Sequence, residues 1–301
     1  MPELPEVTAY VEALERKIAG RTLERARIRS PSLLKTFELP ISSVEGKRVR
    51  AIRRIGKRIV WEIDDDLFLV FHLMLAGRMR WKKRGVTIPK KRGHAAFDFP
   101  EGAILLTEAS SKKRASLHLV RGEGALSQFE RGGVEPLSAG SGEFRAALLR
   151  ENRTLKRALT DPRLFSGIGN AHSDEILLAA RLSPVKRTHQ LDDDEVERLR
   201  AATRESLLEW IERLRTEVGE GFPDKVTAFH PEMNVHGKFG EPCPQCGAPI
   251  QRIVYAQNEV NYCAACQTGG KLLKDRALSR ILGEDWPRSL GELEESESSH
   301  S

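Results

Sequence analysis

"CPQCGAPIQRIVYAQNEVNYCAACQ", residues 243–267, contains all four cysteines of a 301-residue chain. Cys243 and Cys246 form one C-x2-C pair; sixteen residues separate it from a second, Cys263 and Cys266. Each pair suits a tight turn that presents two thiolates. The run between them can fold as a hairpin that brings the pairs together. Four thiolates close a tetrahedral shell and leave no position for water, so the reading is one structural zinc ion. Reactive or disulfide-bonded cysteines are the competing reading. Clustering of all four within 24 residues fits a metal site in a reducing compartment better. A zinc ribbon alone can serve DNA, RNA or protein.

Upstream of this segment the pattern is helical. "EFRAALLR", "TLKRALT" and "SDEILLAARL" are followed by a long helix within 192–217. Before residue 120 the runs are short and β-like: "RIVWEI", "LFLVFHLML", "HAAFDF", "AILLT" and "ASLHLV", separated by turn signals. Repeated short strands predict a sandwich or barrel-like sheet. Glycines and a proline between 132 and 142 mark a linker. Downstream, "GGKLLKDRALSRIL" predicts a short helix, and the acidic stretch 291–301 predicts disorder.

A net charge of +6 makes an acidic partner plausible, and the charge is clustered. "GKRVRAIRRIGKR" (46–58) alone carries seven basic residues. No stretch has the apolar length needed to cross a bilayer, and the start lacks the pattern of a signal peptide. A cytoplasmic, membrane-free protein is expected.

Two further stretches carry chemistry. "MPELPEV" opens a helix predicted over 5–19, with Pro5 at the first helical position and Glu6 in the first turn, favoured by the helix dipole. Neither argument accounts for Pro2 and Glu3. "FSGIGNAHSDEILLAARL" places Gly167, Gly169 and Asn170 before a helix, with Ser173 as the expected N-cap. Such a turn either binds phosphate with backbone N–H groups or simply joins two helices.

Taken together, "PELPEV", "RRIGKRIVWEI", "HLMLAGRMR", "SGIGNAHSDEIL" and "VHGKFGEPCPQCGAPI" leading to "YCAACQ" resemble the formamidopyrimidine-DNA glycosylase and endonuclease VIII family. The likeness runs from Pro2 to Gln267. It implies a multidomain α+β protein: an N-terminal β-sandwich with flanking helices (1–131), a helix–two-turn–helix domain (143–230) and a zinc-finger β-hairpin (233–268), followed by the extension 269–301. It implies base-excision repair of oxidised or ring-opened bases, with removal of the base and cleavage of the abasic site by β/δ-elimination. The expected partner is damaged duplex or single-stranded DNA, bound by a monomer. The resemblance makes Pro2, after loss of Met1, the amine nucleophile. Glu3 becomes the proton-exchanging group, Glu6 an orienting group and Lys57 the phosphate-contacting lysine of the catalytic site. Lys156, Gly169 and Asn170 fall at phosphate-contacting positions.

The chain departs from the family pattern where the lesion is read. Leu75, with Met74 beside it, stands where most members carry a Met that fills the gap left by a flipped base. "TEASSKKRAS" (107–116) replaces the usual Asp-Pro-Arg-Arg-Phe, leaving Lys112, Lys113 and Arg114 in a run expected to be flexible. Asn258 replaces the hairpin arginine. These departures motivate a rival reading, a non-catalytic or lyase-only damaged-DNA-binding protein; a zinc-ribbon protein acting on RNA or protein is a third.

Overall fold

The computed structural model describes residues 1–110, 112–224, 226–255, 258–274 and 287–293, without the side chains of Tyr255 and Asn258. They divide into two compact units: Met1–Arg131 with Glu209–Ala228, and Gly132–Leu208 with the chain from Phe229 onward.

The first unit begins with helix α1 (Leu4–Ile18). Its strands are β1 (Thr22–Leu23), β2 (Arg25–Ile28), β3 (Lys47–Ile55), β4 (Arg58–Ile63), β5 (Leu67–His72), β6 (Gly77–Lys82), β7 (Gly93–Phe99), β8 (Gly102–Glu108) and β9 (Ser116–Arg121). They build two antiparallel sheets, ordered β1-β3-β4-β5-β9 and β2-β7-β8-β6. Trp61 of the first sheet meets Phe97 of the second at a centroid distance of 5.2 Å, so the sheets face each other across one core. Val7, Tyr10, Leu14 and Ile18 bring α1 into that core at helical spacing.

The continuous apolar run of β5 follows from burial on both faces. Leu67, Leu69 and Phe71 point into the sandwich. Phe68 and Val70 point the other way, onto a second cluster with Leu126 and Phe129 from the 3-10 segment Glu123–Phe129. Strands β1, β2 and β6 carry no such signal. Basic residues occupy the outward positions of β2 and β6, β1 is two residues long, and the sequence pattern alone does not separate the three from loop.

The second unit holds α2 (Ser141–Leu149), α3 (Leu155–Thr160) and α4 (Asn170–Ala179). Helix α5 (Asp193–Val218) spans the division between the units. The antiparallel hairpin β10 (Ile250–Tyr255) and β11 (Asn258–Cys263) follows, then α6 (Ala264–Thr268). Helix α4 starts four residues earlier than an N-cap at Ser173 would have it. Gly169 is the cap, and the Ser173 hydroxyl instead donates to the Gly169 carbonyl at 2.6 Å within the first turn.

The C-terminal extension has structure of its own. Lys271 pairs with Ser289, Leu272 N–H donates to Arg288 and Leu273 N–H donates to the Tyr262 hydroxyl at 2.7 Å. Leu272, Leu273, Leu290 and Leu293 cover Ile253, Val260 and Tyr262 on one hairpin face. Residues 291–293, expected to be disordered, close a helical turn begun at Leu290, because the flanking leucines find this apolar face. Residues 269–274 are not helical. The rest of the expected helix, and 294–301, lie outside the described residues.

Leu272 is 6% exposed. Leu272→Ala is expected to destabilise the hairpin by about 2–5 kcal/mol. Amide exchange in β10 and β11 should quicken while β4 and β5 stay protected. Unchanged exchange in the hairpin would show that the extension adds no stability to it.

Candidate catalytic and DNA-binding site

Three of the first unit's site residues, Pro2, Glu3 and Glu6, lie at the start of α1. Pro2, Glu3 and Glu6 are all buried. Glu3 is the N-cap, and its N–H donates to the Glu6 carboxylate at 2.7 Å, as in a capping box. Pro5 takes the second helical position, where no N–H is needed. A terminus that would ordinarily fray is thus fixed by helix capping and by core packing of the next turns.

Burial holds the terminal amine of Met1 below its ordinary pKa of 8.0; Arg78 and Lys57 push the same way, while Glu3 and Glu6 oppose them. Lys57 stands in the two-residue hairpin loop between β3 and β4. Gly56 precedes it with φ +58°, the conformation this first loop position requires. Arg78, on β6, was missed by sequence reasoning. Its only signal was its place in "LAGRMR", which periodicity does not single out.

Two connections leave the second sheet side by side. Gly77 opens β6 opposite Glu108, the last residue of β8. Ala109 N–H donates to the Ala76 carbonyl at 3.2 Å. The turn before Gly77 carries Met74 at φ +54° and Leu75, which is 56% exposed. A Cβ on Gly77 would lie 2.1 Å from the Leu73 carbonyl oxygen, so only glycine closes this turn. In the neighbouring connection Lys112, Lys113 and Arg114 are exposed. It is not a free run: Arg114 and Ala115 N–H both donate to the Glu108 carboxylate.

In the second unit, Gly169 is buried and caps α4, and Gly167 has φ +80°. The Asn170 side-chain amide donates to the Glu259 carbonyl of β11 at 2.8 Å. Lys156 is 7% exposed; its ammonium donates to the Asn170 carbonyl and, at 2.6 Å, to Asp174. Its charge is therefore spent inside the fold, on the turn that precedes α4.

Asp174 and Glu175 were not singled out by the sequence. Asp174 also pairs with His236 Nδ1 at 2.7 Å. Glu175 accepts from the N–H groups of Asn234, Val235 and His236 and from the Asn234 side chain, at 2.9–3.0 Å. Two acids on a helix without a polar face are the trace this leaves in the sequence. They fix the segment that leads into the cysteines.

The four cysteine sulfurs lie within 4.8 Å of one another, and Cys246 Sγ is 3.4 Å from Cys263 Sγ. Tetrahedral zinc with Zn–S bonds of ~2.3 Å needs sulfurs roughly 3.8 Å apart, so the set fits one ion. Burial raises the Cys263 thiol, and the Cys266 thiol to about 11, so a cation is what would hold them as thiolates. Leu178, Val235 and Ile250 pack around Cys243 and Cys263. The zinc is structural. Asn258 opens β11 opposite Tyr255; its side chain and the loop tip 256–257 lie outside the described residues.

Chelation or Cys243→Ser is expected to release about one zinc ion per chain, read with a metal-binding dye. The first unit should keep its melting transition. Retention of the full metal content by Cys243→Ser would remove this cysteine from the ligand set.

Three family domains match the chain in order. Residues 1–119 match the formamidopyrimidine-DNA glycosylase N-terminal domain, residues 133–219 its H2TH domain and residues 240–269 the zinc finger found in FPG and IleRS. Formamidopyrimidine-DNA glycosylase of Heliobacterium modesticaldum is 33% identical over 287 residues, covering 89% of this chain and 100% of the relative. That of Thermus thermophilus is 33% identical over 278 residues, covering 90% and 100%. Among solved structures, Lactococcus lactis Fpg in complex with abasic-site DNA superposes with a TM-score of 0.77 at 29% identity, covering 88% of this chain and 99% of that one. With three domains matched in order and these relatives covered over their whole length, the chain belongs to the formamidopyrimidine-DNA glycosylase family.

Proposed function

We propose that this chain is a base-excision repair enzyme, a DNA glycosylase with abasic-site lyase activity, that works through the amine of Pro2. The observation that carries the reading is the buried terminus itself. The Met1 amine is held below its ordinary pKa by burial, Arg78 and Lys57, against Glu3 and Glu6; an amine released one residue inward in these surroundings is a nucleophile available at neutral pH.

Loss of Met1 moves the terminus one residue inward, to the buried Pro2. The Pro2 nitrogen lone pair forms a bond to sugar C1′. The base departs with the electron pair of its glycosidic bond and takes up a proton. The nitrogen sheds its proton, and its remaining lone pair opens the C1′–O4′ bond. O4′ is protonated by Glu3, and C1′=N⁺ forms. A secondary amine can give only this charged iminium. It acidifies C2′; loss of that proton expels the 3′ phosphate, and a second elimination expels the 5′ phosphate. Water then releases the sugar fragment and restores the amine. Glu6 acts by holding Glu3. Lys57 and Arg78 suit the phosphates beside the lesion and keep the amine neutral. In the second unit, Gly169 and Asn170 contribute backbone and amide groups to the phosphate backbone, with Lys156 setting their geometry.

The substrates follow from relatives solved with abasic-site DNA and with Fapy-dG containing DNA. The proposal extends to single-stranded DNA, to a monomer and to the cytoplasm. Among the described residues no helix is long and apolar enough to cross a membrane. The altered residues Leu75 and Asn258 favour one second reading, a lyase that cleaves abasic sites but excises bases poorly.

Borohydride should trap a covalent DNA adduct with the processed enzyme and none when a tag precedes Pro2. Equal trapping by both forms would eliminate the Pro2 mechanism. Glu3→Gln should abolish base excision and leave part of the cleavage of preformed abasic sites, which already offer an aldehyde.

The pH profile has a definite sign. Only the neutral amine attacks, and the surroundings that lower the pKa of the Met1 amine, burial with Arg78 and Lys57, are expected to lower that of the Pro2 amine once Met1 is removed. Trapping should therefore hold its rate below the usual α-amine range of ~7.7–8.0. Arg78→Met removes a cation, raises the amine pKa and should shift the acid limb to higher pH. A limb that stays in place would remove Arg78 from the amine's surroundings.

A further inference from the structure

The connection between β8 and β9 leaves the sandwich at Glu108 and returns to the core at Ala115, which is 2% exposed. Glu108 itself is 1% exposed. Its carboxylate takes the Arg114 N–H at 3.0 and 3.1 Å, the Ala115 N–H at 3.1 Å and His94 Nε2 at 2.9 Å. A carboxylate only accepts, so His94 carries its proton on Nε2. His94 is fully buried on β7. The β7–β8 register shifts between Gly93 and Ala95, so His94 is the extra residue of a bulge, the device that re-aims a side chain. Its backbone carbonyl takes the N–H groups of Arg29 and Ser30, which fixes the bulge from the other side.

A carboxylate at this depth destabilises the fold unless donors surround it. An apolar residue would fill the same space without needing them. What the carboxylate alone can do is hold two successive backbone N–H groups at the point where the loop re-enters the core. One of those belongs to Arg114, whose side chain is exposed. The start of the same loop is tied to the turn that presents Leu75. Arg114 and Leu75 thus leave adjoining connections of one sheet, each from a backbone fixed by hydrogen bonds.

We infer that Glu108 and His94 are positioning residues for base excision from duplex DNA: they hold Arg114 beside Leu75, where its guanidinium engages the duplex at the flipped nucleotide. The inference rests on the glycosylase reading. Glu108 and His94 touch no DNA. Arg114 binds the edge of the base left unpaired or a phosphate of that base's own strand, groups that only the duplex supplies and that both suit a guanidinium fork. Leu75 fills space beside it and makes no hydrogen bond.

A double-mutant cycle tests this, with kcat/KM measured for one oxidised base in duplex DNA and for an abasic site in a single strand. Arg114→Ala should lower duplex excision about tenfold or more, the worth of one charge-assisted hydrogen bond, and leave single-strand cleavage within about twofold. Glu108→Gln puts a side-chain NH2 where an acceptor stood. It should reproduce the duplex loss, spare the single strand and quicken amide exchange at Arg114 and Ala115. The double variant should be no worse than the poorer single one. His94→Ala removes one of the donors and should move duplex excision the same way by less, which keeps the test usable if Glu108→Gln folds poorly. Losses that multiply in the double variant, or equal losses on both substrates, overturn the inference. So does unchanged duplex excision with amide protection lost. A wild-type enzyme that neither excises nor traps would overturn the glycosylase reading instead.

Discussion

The reactive group proposed for this chain is a chain terminus, the part of a polypeptide that order reaches last. Everything near it serves to hold that end still. Glu3 caps α1 and Glu6 reaches back to the Glu3 N–H, so the first ordered turn begins one residue beyond the nucleophile. Val7, Tyr10, Leu14 and Ile18 then anchor the same helix in the sandwich core. From the far side of α1, Arg215 pairs with Glu12 at 2.6 Å and Phe222 lies against Tyr10. The helix is held on several sides, and the amine inherits that rigidity. Without it, a neutral amine would still exist at neutral pH but would have no fixed approach to a sugar carbon.

How much of this was legible follows from the range of the interactions. The zinc set was readable because C-x2-C pairs are local and chemistry fixes their number. The helix start was readable because Pro5 and Glu6 are local signals. Lys156 was readable as a position but not as a role. Its pairing with Asp174 joins residues eighteen apart, and burial turned an expected surface contact inward. Glu175 and the 234–236 segment are some sixty residues apart, and no period in either stretch announces the other. The run Lys112, Lys113 and Arg114 looked loose because it carries only charge. Its order comes from one acid at its base and from the sheet behind it.

Buried carboxylates holding backbone N–H groups recur across the molecule. Glu6 holds Glu3, Glu108 holds Arg114 and Ala115, and Glu175 holds Asn234, Val235 and His236. Each stands where a segment proposed for chemistry or for reading, or one leading into the cysteines, begins or ends. The glutamate side chain suits the task. It has two acceptor oxygens with about four lone-pair sites, and so can end several orphan donors at once.

The same device reconciles two demands on a DNA-binding surface. Loops that approach phosphate need fixed shapes, and hydrogen bonds from carboxylates provide them. A carboxylate on the surface would repel the phosphate that the loop is meant to meet. Burying the acid removes its charge from the binding face, and the backbone N–H groups it collects offset its desolvation. Lys112, Lys113 and Arg114 can then project positive charge from a loop whose negative anchor lies inside the sandwich. Asn170 likewise stands at a helix start whose acids, Asp174 and Glu175, face inward, and its amide is held on the Glu259 carbonyl. Segregating charge by depth, cations outside and anchoring acids within, lets a chain of modest net charge present strongly basic edges that keep their shape.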